Sequence, residues 1–363
     1  VSRETVRKWV NRFGRHFADC IKRDRPAAAD KWHLDEVVVP INGVKQWLWR
    51  AVDANGDVLD ILVQPRRNAK AAKRFLARLI ARYGKQALVE TRSGERMLCH
   101  LRAHLESPVA GDEVLWLPAE ETGVIDALIA RRNVLERPDA QGRLRPVAAN
   151  IDLMLIVFAP EPAPQANLLD RYLVAAEDMG VEPLLVLNKA DLFKDDQLPQ
   201  QLARYASLGY RTLTTHHELP DLEALTTVIA NRTLVLVGQS GVGKSSLIQR
   251  LLPDASIRVG ALSEVADKGR HTTTTAEVFH LPGGGRLIDS PGVRDFSLTH
   301  VSPDAVANGF TEFRPYLGHC RFRDCQHQSE PGCAVKAAIE AGEIRIERVE
   351  SFCQIVASLD AGS

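Results

Sequence analysis

The chain has 363 residues, of which 45% are hydrophobic and 25% are charged. These values are typical of a globular protein with two or three domains, and they exclude a small disulfide-rich module or a short disordered tail. The formal net charge of zero hides a division, because residues 1–84 carry a net charge of +9 and residues 85–363 carry −9. This asymmetry indicates that two segments with different origins or partners are joined in one chain.

The sequence has no run of about 18 apolar residues, and its first residues lack the layout of a signal peptide. We therefore expect a cytoplasmic protein that does not span a membrane.

The first eighty residues predict both strands and helices. Strand patterns at 32–41, 46–52 and 58–63 predict a hairpin meander. Residues 1–14 predict a helix, and residues 68–82 predict another, because helix formers fill that stretch and an apolar stripe runs along it.

Two further architectures follow along the chain. Five short strand patterns between residues 79 and 135 predict a small β-barrel of the oligonucleotide-binding (OB) type. Residues 79–83 fit either the end of the preceding helix or the first barrel strand, and the sequence alone leaves both open. From 151 to 296, buried strand patterns alternate with helical segments, which is typical of a parallel sheet covered on both faces. The remaining residues carry a Cys/His cluster and predict a helix near 344–358.

The strand pattern at 233–237 runs into the phosphate-binding motif G-x-x-x-x-G-K-[ST]. Its glycines allow backbone N–H groups to surround phosphate oxygens, its lysine supplies a charge for the β- and γ-phosphates, and its serine hydroxyl is a candidate Mg²⁺ ligand. A glycine turn that only joins a strand to a helix is the weaker alternative. The candidate nucleotide-binding residues of this P-loop are Gly238, Gln239, Ser240, Gly241, Val242, Gly243, Lys244, Ser245 and Ser246, with Ser245 on Mg²⁺.

Two more motifs predict that the nucleotide is GTP. Asp289 starts the sequence Asp-Ser-Pro-Gly after an apolar strand, where a second Mg²⁺-directed carboxylate and a γ-phosphate-sensing glycine, Gly292, are expected. The sequence Asn-Lys-Ala-Asp follows another buried strand, and its aspartate offers two acceptors to the N1–H and 2-amino groups of guanine. Adenine presents no such pair of donors. The candidate base-binding residues are Asn188, Lys189, Ala190 and Asp191.

The order of these motifs is circularly permuted, since the base-recognition motif precedes the P-loop. Between the P-loop and Asp289, Thr272 and Thr273 are candidates to close over Mg²⁺ and the γ-phosphate, and His271 is a candidate to orient the attacking water. Val293 stands where many GTPases carry a glutamine, so a merely structural role for His271 stays open. The catalytic candidates are Lys244, His271 and Asp289.

Cys320, Cys325, His327 and Cys333 lie within fourteen residues. Three thiolates and one imidazole form the ligand set of a closed tetrahedral zinc site, which leaves no open position for catalysis. We therefore predict one structural Zn²⁺. A redox cysteine pair or a chance cluster is the alternative, because the spacing differs from the common zinc-finger pattern.

These motifs, with the barrel before them and the Cys₃His cluster after them, resemble the RsgA family of ribosome-small-subunit-dependent GTPases over about residues 80–363. The stretches AANIDLMLIV, LDRYLVAAE and GFTEFRPYLG agree as well. The resemblance implies GTP hydrolysis stimulated by the small ribosomal subunit during its late maturation, with GTP or GDP, Mg²⁺ and zinc on the residues named above. One departure is the second guanine-contacting loop, which reads Thr-Thr-His-His at 214–217. We expect binding to persist because that loop usually contacts the base through backbone N–H groups.

Residues 1 to about 82 resemble insertion-sequence DDE transposases of the RNase H-like kind. Asp35 matches the first catalytic aspartate of that family. Two-metal strand transfer needs three carboxylates, and the other two would lie beyond the point where the resemblance stops. We interpret this segment as a catalytically inactive remnant with no specific DNA target.

The predicted fold class is therefore α/β. It comprises a partial RNase H-like fragment (1–78), an OB-fold barrel (79–133), a circularly permuted P-loop GTPase domain (134–298) and a zinc-binding helical region (299–363). We expect a monomer whose partners are the small ribosomal subunit and its rRNA. A GTP-binding RNA scaffold with little turnover and a DNA-binding, transposase-derived protein are the alternatives. Basic patches at Arg131-Arg132, Arg137 and 321–323 are candidate rRNA contacts.

Overall fold

A computed structural model describes residues 32–41, 44–53, 58–64, 75–91, 93–117, 122–139, 141–216, 222–253, 276–289 and 301–360. The chain divides into two compact units. The first takes in the described residues up to Leu76 together with those in 91–95, and the second takes in 77–90 and the described residues from Arg96 onward.

The first unit contains a three-stranded antiparallel meander in the order β1-β2-β3. Its strands are β1 (Trp32–Ile41), β2 (Val44–Asp53) and β3 (Val58–Gln64). In the first hairpin the register pairs Ile41 with Val44, so the connection is two residues long. The predicted meander is confirmed, whereas the helix predicted at 1–14 lies outside the described residues.

The chain next forms a closed five-stranded barrel, which belongs almost entirely to the second unit. Its strands are β4 (Phe75–Tyr83), β5 (Gln86–Thr91), β6 (Arg96–Leu101), β7 (Glu113–Leu117) and β8 (Gly123–Leu128). They pair in the order β4-β5-β6-β8-β7, and β7 also pairs with β4, which closes the barrel. Alternate residues of β5 and β7 are buried, as expected when one face of each strand lines the interior. The predicted OB-type barrel is confirmed.

The helix predicted at 68–82 is wrong for its second half, because residues 75–83 form β4. Leu79 exchanges backbone hydrogen bonds with the 111–112 turn: its N–H donates to the Asp112 carbonyl at 2.8 Å, and its carbonyl accepts from Gly111 at 2.9 Å. Leu79 and Ile80 are fully buried. Long-range pairing and burial outweigh a weak local helix propensity. Residues 68–74 lie outside the described residues.

The central part of the second unit is a mostly parallel sheet, as predicted. Its strands are β11 (Leu153–Phe158), β12 (Glu182–Leu187), β13 (Arg211–Thr214), β14 (Thr233–Val237), β15 (Glu277–His280) and β16 (Arg286–Asp289). Their order is β13-β12-β11-β14-β16-β15, and β15 alone is antiparallel to its neighbour among them. A hairpin of β9 (Val134–Pro138) and β10 (Leu144–Ala149) precedes the sheet.

The barrel joins this sheet through β15 and β4, which pair at Glu277 and Ala81. Arg78 of β4 reinforces the junction. Its guanidinium donates to Thr233 Oγ1 at the start of β14 (3.2 Å) and to Glu113 of β7 (3.3 Å). The barrel and the parallel sheet therefore form one hydrogen-bonded structure.

Helices cover both faces of the parallel sheet. They are α1 (Leu168–Asp178), α2 (Gln197–Ser207), α3 (Glu223–Ile229) and α4 (Lys244–Leu251). One core contains Met154 and Ile156 of β11 with residues of α1 and α2, and the other contains Leu155 and Val157 with residues of α3 and α4. Adjacent residues of β11 thus enter opposite cores, which is why this strand is apolar throughout.

The C-terminal region has a third core. It contains α5 (Pro303–Gly309), a 3₁₀ turn (Thr311–Phe313), α6 (Ala334–Glu340) and α7 (Ile346–Asp360), so the predicted C-terminal helix is confirmed. Phe310, Phe313 and Phe352 pack together in this core with ring centroids 5.0 to 5.8 Å apart. Among the described residues, no helix combines the length and the apolar character that a membrane crossing needs.

Candidate functional site

The predicted nucleotide motifs follow the carboxyl ends of parallel strands. The base-recognition motif follows β12, the P-loop follows β14, and Asp289 is the last residue of β16. Because β12, β11, β14 and β16 run in the same direction, these ends lie at one edge of the sheet. The permuted order of the motifs along the chain therefore does not separate them in space.

The P-loop takes a backbone path that requires glycine at two points. Gly238 has φ 141° and Gly243 has φ 95°. A Cβ atom on Gly238 would lie 2.1 Å from the Val157 carbonyl oxygen, and one on Gly243 would lie 2.3 Å from Asn188 Nδ2. Both approaches are too close for any side chain, so the loop turns tightly against β11 and the base-recognition motif.

Lys244 begins α4 and its side chain folds back across the loop. Its Nζ donates to the carbonyl oxygens of Gly238 (2.7 Å) and Gln239 (2.5 Å). These contacts hold the ammonium group against the backbone of the loop, and Lys244 is the first residue of α4. A positive charge and a helix N-terminus together favour a phosphate at this place.

Asn188 ties three loops together. Its backbone N–H donates to the Phe158 carbonyl (2.8 Å), its Nδ2 donates to the Val242 carbonyl in the P-loop (2.9 Å), and its Oδ1 accepts from Thr215 Oγ1 (2.9 Å). Asn188 is only 8% exposed. Its side chain is thus a buried bridge between the P-loop and the loop that follows β13.

Lys189 makes a second connection to the P-loop. Its Nζ donates to the Gly241 carbonyl (2.7 Å) and to the Glu161 carbonyl (2.8 Å) in the loop after β11. That loop also reaches the P-loop directly, since the Gln165 N–H donates to Gln239 Oε1 (3.2 Å). The loops after β11, β12 and β14 therefore support one another.

Asp191 is exposed and lies in a short 3₁₀ turn (Ala190–Leu192) that follows β12. Asp289 is half-buried at the end of β16. The structure thus brings the P-loop, the base-recognition motif and Asp289 to one edge. The switch candidates His271, Thr272 and Thr273, and also Gly292, lie outside the described residues, and their roles stay predictions.

The four predicted zinc ligands converge in the C-terminal region. The ligand atoms of Cys320, Cys325, His327 and Cys333 all lie within 4.8 Å of one another. His327 Nδ1 is 3.4 Å from Sγ of both Cys320 and Cys333, and these two sulfurs are 4.0 Å apart. Tetrahedral coordination with metal–sulfur bonds of about 2.3 Å separates ligand atoms by about 3.5 to 3.8 Å. The 3.4 and 4.0 Å separations are close to these values, so the four residues could hold a tetrahedral ion.

The surroundings of this cluster also suit a cation. Burial raises the pKa of the Cys325 thiol to about 12, and burial lowers the pKa of His327, which keeps its imidazole neutral. A bound cation offsets this penalty by stabilising the thiolate, and a neutral imidazole can coordinate a metal directly. Glu330 orders the ligand loop by accepting from the backbone N–H groups of Gln326, Gln328 and Ser329 at 2.9 to 3.0 Å.

Known proteins are similar to this chain in sequence and in fold. The chain is 54% identical over 292 residues to the small ribosomal subunit biogenesis GTPase RsgA of Chromohalobacter salexigens, with 78% of this chain and 86% of the relative covered. The RsgA of Marinobacter nauticus is 52% identical, with 77% and 82% covered. A model of the RsgA GTPase family matches residues 128–299.

The chain belongs to the RsgA GTPase family. The predicted enzymatic activity, GTP hydrolysis, is that of this family. Two solved structures carry the same fold as this RsgA family member. YjeQ from Thermotoga maritima is 29% identical with a TM-score of 0.64, covering 79% of this chain and 98% of the other. YloQ, described as a circularly permuted GTPase, is 25% identical with a TM-score of 0.65, covering 82% and 99%. The predicted circular permutation is confirmed.

A second family model, described as a DDE domain, matches residues 29–95. This confirms the resemblance of the N-terminal segment to DDE transposases. The match extends beyond residue 82, over β4 and β5, which in this RsgA family member are barrel strands. The catalytic inactivity of the segment stays a prediction.

Sequence reasoning missed two contributors to the nucleotide loops of this RsgA family member. Thr215 was noticed only as a departure from the expected second base-contacting loop, yet its hydroxyl holds Asn188 in place. Gln165 contributes through its backbone N–H, which no sequence pattern reveals. A threonine directly after a strand that ends at the ligand edge was the available signal for Thr215.

Proposed function

We propose that this chain is a GTPase that acts in the maturation of the small ribosomal subunit, and that it binds GTP between the P-loop and the base-recognition motif. The observation that carries the nucleotide site is the double hydrogen bond of Asn188, to Val242 of the P-loop and to Thr215 after β13. This bridge supports the proposal because it joins the P-loop to the loops that follow β12 and β13. The ribosomal role is supported by the relatives, which are named small ribosomal subunit biogenesis GTPases.

Each part of the proposed site has one task. Backbone N–H groups of the P-loop and Lys244 bind the β- and γ-phosphates, and Asp191 accepts from the guanine edge. Ser245 and Asp289 would hold a Mg²⁺ ion, which supplies neutralisation of the phosphate charge when bound. We assign the orientation of the attacking water to His271, because Val293 has no group that can do so.

For the C-terminal cluster we propose one structural Zn²⁺ held by Cys320, Cys325, His327 and Cys333. All four protein ligands are present, so no position remains for a substrate. Burial of two of the three thiols and of the imidazole supports a structural role.

For rRNA contact we propose the exposed loop at 321–323. Phe322 is 43% exposed, and the Arg321 guanidinium lies 5.5 Å from its ring centroid. An exposed aromatic ring between two arginines suits stacking on an unpaired base with the phosphates close by. Arg131 is excluded from such a role because its guanidinium is bound to the buried Asp112 carboxylate at 2.7 and 2.9 Å. We further propose that the protein works as a cytoplasmic monomer.

The experiment that tests the proposed function is the GTP turnover of the full chain with and without purified small ribosomal subunits. We expect the subunit to stimulate turnover, and we expect Phe322→Ala to reduce the stimulation while leaving basal turnover unchanged. The control is Leu98→Ala, which removes an exposed apolar side chain that lies in the barrel and not in the 321–323 loop. Turnover that is the same with and without the subunit would refute the ribosomal role and favour a GTP-binding scaffold.

A further inference from the structure

The loop between β11 and α1 contacts the nucleotide loops at its start and the C-terminal helix at its end. The Glu161 carbonyl accepts from Lys189, and the Gln165 N–H donates to Gln239 of the P-loop. Two residues later, Asn167 Nδ2 donates to Gln354 Oε1 of α7 at 2.5 Å. Residues 161–167 therefore lie between the proposed nucleotide site and α7.

The side chain of Asn167 does not cap its own helix. Asn167 is the N-cap residue of α1 and has φ 62°, but its side chain makes no capping hydrogen bond. Asparagine at this position normally accepts a hydrogen bond from the first turn of its own helix. Here its amide instead binds a helix that is 187 residues away in the sequence.

The first turn of α1 adds further contacts to α7. Asp170 pairs with Arg348 and accepts from Ser351, and Arg171 donates to Ser358 Oγ at 2.7 Å. Three of the five side chains from Asn167 to Arg171 thus bind α7. The contacts run along the helix, so α1 and α7 are held together at the end of α1 that is nearest to the P-loop.

Arg348 makes this contact rigid. Its side chain is 11% exposed and lies over the Phe310 ring, 4.4 Å from the centroid. It binds Asp170 of α1 and Glu312 of the 3₁₀ turn, and both carboxylates have side chains that are 8% exposed. Each buried charge is satisfied only while these three elements keep their arrangement, because an unpaired buried charge is costly. A displacement of α1 is therefore transmitted to the C-terminal region.

We infer that residues 161–167 and the first turn of α1 couple nucleotide binding to the position of α7. The inference rests on the nucleotide site proposed above. A nucleotide that orders the P-loop also orders Gln239 and Lys189, and through them the loop that carries Asn167. Linkage makes the coupling reciprocal. A change that loosens the contact of α7 at Gln354 therefore also weakens the affinity for the nucleotide. This route does not use the chain segment that follows Asp289.

Two substitutions of equal size separate coupling from general stability. Gln354→Ala removes the partner of Asn167. Glu177→Ala removes the partner of Arg314, whose Nη2 lies 2.6 Å from Glu177 Oε2, and this pair also joins α1 to the C-terminal region. Glu177 lies at the opposite end of α1, far from the P-loop. Both variants delete the same number of side-chain atoms, so a purely structural effect would be similar in the two.

The measurements are the Kd of a fluorescent non-hydrolysable GTP analogue with Mg²⁺ and the hydrogen exchange of α7 amides with and without that analogue. In the wild type we expect the analogue to slow exchange in α7. In Gln354→Ala we expect the analogue to bind about threefold more weakly and to slow exchange in α7 clearly less than in the wild type, because only the contacts of Asp170 and Arg171 with α7 remain, while the P-loop is still protected. Glu177→Ala should match the wild type in both measurements.

Equal slowing of α7 exchange in the wild type and in Gln354→Ala would overturn the inference, as would equal effects of the two variants. Arg348→Lys provides a second test, because it keeps the charge but cannot bind both carboxylates as a fork. It should reduce the response of α7 without loss of the C-terminal fold, and an unchanged response would count against the coupling. Lys244→Ala distinguishes failure of the coupling from failure of the proposed nucleotide site. An unchanged affinity for the GTP analogue in that variant would refute the nucleotide site itself.

Discussion

Thr215→Val should weaken GDP and GTP binding although the Thr215 side chain is not a predicted ligand of either. The substitution replaces a hydroxyl by a methyl group of nearly the same size, so it opens no cavity. It removes the donor at 2.9 Å from Asn188 Oδ1. Thr215 is 4% exposed and Asn188 is 8% exposed, so water does not readily replace the lost donor.

A buried acceptor left without its donor costs about 1 to 3 kcal/mol. Asn188 then holds Val242 of the P-loop less firmly, and the arrangement that binds nucleotide becomes less populated. If about 1.4 kcal/mol of this cost destabilises the arrangement that binds nucleotide relative to the other arrangements of the loops, the apparent affinity for nucleotide drops about tenfold. The free energy of unfolding should fall by about 1 to 2 kcal/mol.

The assay is a titration with fluorescent GDP, accompanied by urea unfolding of the same preparations. Thr214→Val is the matched control, because the same change is made one residue earlier at an exposed position. The control should bind GDP as the wild type does. An affinity of Thr215→Val within twofold of the wild type, or an equal loss in Thr214→Val, would refute the proposed role of the Asn188 bridge.

Three further changes test the other assignments. Lys244→Ala should lower GTP turnover at least about a hundredfold with no change in the unfolding midpoint, and Lys85→Ala on the barrel surface should leave turnover intact. Elemental analysis should find one zinc per chain in the wild type and in Cys353→Ser, but none in Cys325→Ser. A wild-type protein that contains no zinc when purified without chelator would contradict the proposed zinc site. A chain that begins at residue 74 should keep GTP turnover and zinc, but one that begins at residue 84 should lose cooperative folding because it lacks β4, whose Leu79 and Ile80 are fully buried. Equal stability of the two truncations would show that β4 is dispensable.

The motifs that carry chemistry could be predicted from the sequence because each is a short, local requirement. Glycines at 238 and 243 are needed for a backbone path that no other residue can follow, and Lys244 stands at a fixed distance from them. The Cys₃His spacing places four ligands on one short segment, so any compact path of that segment brings them close together. Buried parallel strands were equally clear, since β11 enters two cores and has no polar face.

Other features depended on contacts between residues that are far apart in the chain. Residues 75–82 have a helical composition, yet pairing with β7 and burial in the barrel make them a strand. The sequence predicted Arg131 to be an exposed basic residue, but in the structure its guanidinium forms an ion pair with the buried Asp112. The contacts of Asn167 with Gln354 and of Asp170 with Arg348 span 187 and 178 residues, and no local pattern encodes them. The sequence by itself determined the candidate residues for binding phosphate, guanine and metal, because those needs are local. Only the tertiary structure decided how these candidate sites are joined, because hydrogen bonding and burial between distant segments set those contacts.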